Sequence, residues 1–195
     1  MANQVETIIS VQLENRNRTT IFWRGILSVP MVIFVISFTP TADQSWVTGI
    51  VILPVLLAIV FRGIYPSYIL SFNHALLELE TRLTAYILLL TDDFPSIERN
   101  PRIAILFPDV DGGKKLNRWL PLVKWILSIP LIVVGLIYAI VAVLTTFIAW
   151  IATWSTGKYP NWALNIVLGT IKYWNRIYGY AFLLVTDEYP SFSLS

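Results

Sequence analysis

The chain has 195 residues, of which 56% are hydrophobic and only 13% charged, whereas about a quarter of the residues carry charge in ordinary soluble domains. The mean hydropathy of +0.66 points the same way and argues against a water-soluble enzyme or nucleic-acid-binding module. The absence of cysteine removes disulfides, thiolate metal sites, iron–sulfur clusters and thiol catalysis together.

Residues 1–17 are polar and mixed in charge, with no cleavable signal pattern, so the first apolar segment is expected to direct insertion. Within them Val5, Thr7, Ile9, Val11 and Leu13 alternate with the period of a short strand. Residues 21–39 read as a span, residues 40–45 as a polar turn and residues 46–61 as a returning span, together a membrane hairpin. Gly63-Ile64-Tyr65-Pro66 then interrupts the chain, and residues 67–90 carry an apolar stripe at helical spacing (Ile69, Phe72, Leu76, Leu79, Leu83, Tyr86). Across from that stripe lie His74, Glu78, Thr81 and Arg82, which predicts an amphipathic helix in the membrane interface.

After Pro101 the pattern begins again. Ile103, Ile105 and Phe107 alternate, and Pro108 and Gly112-Gly113 mark a linker. An almost unbroken apolar run follows from Trp119 to Trp154. As one helix it would measure about 54 Å, against about 30 Å of hydrocarbon, so it is expected to fold back near Gly135–Tyr138 into spans 117–136 and 138–154. A second amphipathic helix is predicted over 161–185, with Asn165, Lys172, Asn175 and Arg176 on its polar face.

Self-comparison ties these segments together. Ile26-Leu27-Ser28-Val29-Pro30 returns as Ile126-Leu127-Ser128-Ile129-Pro130, with Arg24 and Lys124 just before. Gly63-Ile64-Tyr65-Pro66 answers Gly157-Lys158-Tyr159-Pro160, and Arg82-x-x-x-Tyr86 answers Arg176-x-x-x-Tyr180. Thr91-Asp92-Asp93-Phe94-Pro95-Ser96 matches Thr186-Asp187-Glu188-Tyr189-Pro190-Ser191. The expected fold is therefore an all-α membrane protein of two tandem units, 1–99 and 100–195. Each unit holds a short cytoplasmic strand, a transmembrane hairpin and an interfacial amphipathic helix, four spans in total. The two short strands are expected to pair with each other, since a lone strand leaves its hydrogen bonds unmade.

With two hairpins, all fourteen Lys and Arg fall on one side of the membrane and Asp43 alone on the other, which places both termini in the cytoplasm. The alternative carries the amphipathic helices across the bilayer as an inverted repeat of three spans each, and strands half of the basic residues outside.

The repeated acids Asp92 and Asp93, and Asp187 and Glu188, follow a helix end, where the macrodipole disfavours negative charge. They are expected to bind basic residues at the feet of the spans, Arg24, Arg62, Lys124 or Lys158, and so pin the amphipathic helices. A shared cation site built from both copies is the sharper alternative. Arg24 and Lys124 lie one turn inside apolar helices, where a charge must pair or reach lipid phosphate. These eight residues are the candidates for structural or lipid contact. Glu78 and Arg82 read as an ordinary helix pair, and His74 with Glu78 gives two metal-ligand types but no site. No catalytic residue, metal ligand or cofactor is predicted, because no nucleophile elbow, phosphate loop or dinucleotide fingerprint occurs.

The stretches Arg118-Trp119-Leu120-Pro121-Leu122-Val123-Lys124-Trp125, Thr156-Gly157-Lys158-Tyr159-Pro160 and Thr186-Asp187-Glu188-Tyr189-Pro190-Ser191-Phe192-Ser193-Leu194 resemble an uncharacterised family of bacterial multi-pass membrane proteins, a domain of unknown function. The first unit looks like a diverged copy, with Phe22-Trp23-Arg24-Gly25 in place of Pro-Leu-Val-Lys. The resemblance implies a bacterial inner-membrane location and no particular activity. The resulting expectation is a non-catalytic accessory or scaffolding subunit. Its partners would be anionic lipid and a protein partner or second copy, with no nucleic acid. A lipid or small-solute carrier is the second reading, and a lipid-modifying enzyme the third.

Overall fold

In a computed structural model of the chain, described here for residues 3–38, 52–98 and 101–194, five helices and two strands stack in three layers. The order is β1 (Glu6–Ile9), α1 (Arg18–Ile36), α2 (Ile52–Arg62), α3 (Ser67–Ile87), β2 (Ile103–Leu106), α4 (Pro121–Thr156) and α5 (Asn161–Ile177). The strands pair antiparallel, Glu6 opposite Leu106 and Ile9 opposite Ile103, so the fold is mostly helical with a small sheet rather than all-α.

The expected fold-back near Gly135–Tyr138 does not occur, and α4 is one helix of 36 residues, about 54 Å long. Leu136, Ile137 and Tyr138 offer no polar turn, and a break there would leave backbone groups unpaired among apolar side chains. Gly135 serves packing instead: a Cβ there would lie 3.0 Å from the Trp174 ring and 3.1 Å from the Tyr173 ring, so its absence lets α5 close onto α4. The four-span arrangement of two hairpins is thereby overturned. Among the described residues two helices, α1 and α4, are long and apolar enough to cross a membrane. The expected turn at 40–45, Asp43 and the start of the span at 46 lie outside the described residues, and α2 from Ile52 is a short apolar helix.

Helix ends follow from local chemistry. Gly63 and Gly157 stand at the ends of α2 and α4 with φ of 63° and 74°, the left-handed conformation that glycine adopts without a side-chain clash. Pro66 and Pro160, in extended conformation, then open α3 and α5. A Cβ on Gly157 would find its nearest neighbour 3.6 Å away, ordinary contact. Gly157→Ala should therefore cost only backbone strain, about 1 kcal/mol, read as a lowered melting temperature in detergent.

The amphipathic helices form the middle layer. α3 runs antiparallel to α1 through Leu79 and Leu83 against Met31 and Val35, and α5 runs antiparallel to α4, with the Tyr173 hydroxyl donating to the Leu131 carbonyl at 2.9 Å. Their opposite faces carry the sheet. Asn175 Nδ2 donates to Thr7 Oγ1 of β1 (2.9 Å) and to Thr81 Oγ1 of α3 (3.0 Å), and His74 Nε2 lies 2.6 Å from the Ile105 carbonyl of β2. α3 and α5 are thus sandwiched between apolar helices and the sheet.

The two halves also interlock end to end. Tyr159 N–H donates to the Leu13 carbonyl and Tyr65 N–H to the Gly112 carbonyl, both at 2.8 Å. Arg18 sits beside Gly157, and Arg118 beside Gly63. The N-terminal end of α1 therefore meets the C-terminal end of α4, and the N-terminal end of α4 meets the C-terminal end of α2.

Candidate functional site

Each middle helix ends in a buried leucine at positive φ, Leu89 at 68° and Leu184 at 57°. A side chain in this conformation costs about 1–2 kcal/mol, and burying a leucine, worth about 1.5–3 kcal/mol, offsets it. The left-handed residue reverses the chain. Leu90 N–H reaches back to the Ala85 carbonyl (2.8 Å) and Val185 N–H to the Gly179 carbonyl (2.9 Å), closing both helix ends. The second copy has one residue more between its Arg and its Asp than the first. The π-turn Tyr178–Phe182 takes up the insertion.

These reversals set Asp92 and Asp187 in matched positions. Asp92 Oδ2 accepts the Asn17 N–H at 3.0 Å, and Asp187 Oδ2 accepts the Asn117 N–H. Asn17 also caps α1 with its side chain, Oδ1 accepting from Thr19 N–H (3.1 Å), and Asn117 Oδ1 accepts from Trp119 N–H (2.9 Å) in the turn that precedes α4. Asp92 thus lies past the negative end of α3 but at the positive start of α1, whose dipole favours its charge, while Asp187 sits against the turn ahead of α4.

The cations complete the arrangement. Arg24 pairs with Asp92, donates to the Tyr86 carbonyl at 2.7 Å and lies 4.4 Å from the centre of the Tyr86 ring. Lys124, 0% exposed, pairs with Asp187 at 2.7 Å, donates to the Thr186 carbonyl at 2.7 Å and lies 5.2 Å from the Tyr180 ring centre. Asp92 has a second cation, Arg16, at 2.8 Å. Burial pulls the Arg16 pKa down from its ordinary value, and Asp92 opposes that shift. These contacts lock α1 onto α3 and α4 onto α5 at their ends.

The other sequence candidates sit elsewhere. Asp93 pairs with Arg102 at 3.3 Å and Lys158 with Glu14 at 3.2 Å, both on the surface. Arg62 and Glu188 are exposed. Asp92 and Asp187 lie at opposite ends of α4, so the two copies do not build one cation site, and no cluster of three metal-ligand side chains occurs among the described residues. Glu78 and Arg82 are not a surface pair. Both are buried, 3.1 Å apart, and Arg82 also donates to the Ser96 (2.8 Å) and Glu98 (2.6 Å) carbonyls, holding the segment after the first acidic turn.

Two groups escaped sequence reasoning. Asn175, placed on a polar face, is the buried link between β1, α3 and α5. Glu80 lines a cavity of about 390 Å³ between α3, α4 and α5, where burial raises its pKa from 4.5 to about 7. Its spacing from the buried Asn73 and Leu77 was the available signal.

Residues 119–193 match the family model of a domain of unknown function, DUF4389. That match holds α4, α5, Lys124, Lys158, Asp187 and Glu188, while Arg24 and Asp92 lie outside it. No curated protein and no solved structure matches the chain.

Proposed function

We propose that this chain is a non-catalytic membrane protein of the bacterial inner membrane, a scaffolding or accessory subunit built from two copies of one unit, seated in the cytoplasmic leaflet with α1 and α4 along the membrane plane. The observation that carries this reading is the outer layer. The solvent-facing side chains of α4 from Leu122 to Trp154 include Ile126, Val133, Ile140, Leu144, Phe147 and Ile151, and those of α1 include Trp23, Ile26, Val29 and Ile33. Such a continuous apolar surface is stable only against hydrocarbon or another apolar partner.

The in-plane orientation follows from length and charge. Crossing about 30 Å of hydrocarbon with about 54 Å of apolar helix takes a tilt of more than about 50°, beyond the usual range. An upright α4 would also divide the basic residues, with Arg118 and Lys124 at one face of the membrane and Arg16, Arg18 and Lys158 at the other. It would carry the two-stranded sheet to bilayer depth with its edges open. Lying flat, the molecule keeps every described cation on the cytoplasmic side, where anionic lipid attracts each by about 1 kcal/mol.

The chain lacks cysteine, so single thiols report orientation cleanly. Lys114→Cys, on the loop before α4, and Ser155→Cys, in its last turn, should both react with an impermeant maleimide in inside-out vesicles and neither in right-side-out vesicles. Labelling of the two from opposite sides would defeat the in-plane arrangement. For the scaffold role, gentle extraction followed by sizing should show a stoichiometric protein partner or second copy. A stable lone monomer would count against it.

A carrier for a lipid or small solute is the second reading, favoured by cavities of about 390 and 490 Å³ between the halves. Solute flux in sealed liposomes is its test.

A further inference from the structure

The cavity between α3, α4 and α5 holds an acid that the ion-pair scheme does not use. Glu80 makes no hydrogen bond or ion pair with the described residues. A half-buried carboxylate set against a largely apolar wall is costly unless something meets it. From α4 the wall is apolar (Ala139, Ala142, Val143), and from α5 and the π-turn after it come Trp174, Asn175 and Tyr178. Tyr178 is the sole other titratable group in the lining, its phenol pushed up first by burial and then by Glu80 itself.

A lone carboxylate beside two aromatic side chains matches the chemistry of an organic ammonium group, which takes a counter-ion and the negative faces of rings together. Sharing Leu88 and Val143 with this cavity is a second one of about 490 Å³, walled by Phe22, Phe147 and Trp150. The volumes suit a small organic molecule with an apolar body. Arg24 also borders the second cavity, but its charge is committed to Asp92.

We infer that the paired cavities bind a lipophilic amine, the ammonium group held by Glu80 between Trp174 and Tyr178 and the apolar body lying toward Phe147 and Trp150. The site stands whether the chain scaffolds or carries. Bound amine keeps Glu80 ionised. Without it the raised pKa means the folded chain holds the Glu80 proton more tightly than the unfolded chain. Stability is therefore full below about pH 4.5 and declines as pH rises to about 7.

The test is calorimetric titration of the full chain in dodecyl maltoside with benzylamine and, as the uncharged analogue, benzyl alcohol. Benzylamine should bind at least tenfold more weakly to Glu80→Gln, while benzyl alcohol binds both proteins alike. The permanently charged benzyltrimethylammonium should bind wild type tighter at pH 8.5 than at pH 5.5 and show no such difference in the variant. Glu80→Gln should melt with wild type at pH 4 and above it at pH 8.5, which separates a lost charge from a lost fold. Equal affinity of wild type for amine and alcohol, a pH-independent quaternary ammonium, or no saturable heat overturns the proposal. Should the variant not fold, the wild-type pH profile decides alone.

Discussion

Asp92→Asn is expected to lower the unfolding free energy by about 3–5 kcal/mol, the range seen when one partner of a buried ion pair is removed. The size follows from what remains. Arg16 and Arg24 side chains, at most 5% exposed, would face each other with their shared counter-ion gone. The amide would keep the shape and could still accept from the Asn17 N–H, so the loss reports charge rather than packing. Asp187→Asn should cost less, because Asp187 serves one cation and its side chain is more exposed, 24% against 13%. Denaturant or thermal melts in dodecyl maltoside measure both. A change under about 1 kcal/mol for Asp92→Asn would show that the clamp adds nothing beyond desolvation. In a double-mutant cycle, Arg24→Met should recover part of the loss, since it ends the repulsion between the two guanidiniums and leaves Arg16 as the one cation without its counter-ion.

Ile140→Asp is the second large effect. Ile140 lies mid-helix on α4 and is 62% exposed. Facing water, such a surface change stays within about 0.5 kcal/mol. Facing hydrocarbon it costs up to about 2.5–3.5 kcal/mol, the limit reached by an acid at the centre of a spanning helix. Membrane retention through alkaline extraction and flotation should therefore fall sharply for Ile140→Asp. Lys114→Asp, exposed on the loop that precedes the same helix, should leave it unchanged. Retention of both alike would mean that the outer face of α4 is covered by something other than lipid.

The two acidic turns show where the sequence was legible. The acids at a helix end demand compensation, and Arg24 and Lys124 inside apolar helices demand partners. Electrostatics alone narrows the pairing to few choices, and the structure brings Arg24 to Asp92 and Lys124 to Asp187. Arg16 was not among those choices. Its position beside Asp92 depends on how residues 12–17 cross the end of α3, with Gln12 N–H bonded to the Leu90 carbonyl. The place of Asp92 at the N-terminus of α1, and of Asp187 at the turn ahead of α4, likewise needs the chain path.

By itself the sequence determined the apolar runs, the Gly-x-Tyr-Pro breaks, the helical stripes and the alternating segments, because each is set by side chains within a few residues of one another. Tertiary structure decided the rest. Whether a 36-residue apolar run bends is settled by what packs along it, and α5 lies against Gly135 where a turn was expected. Whether Glu80 faces water or a cavity depends on α4 and α5, and whether Glu78 and Arg82 are surface or interior depends on a third layer. That layer is the strand pair, whose two halves stand nearly a hundred residues apart in the chain. Periodicity assigns a face to each residue, but only the neighbouring elements fix what that face meets.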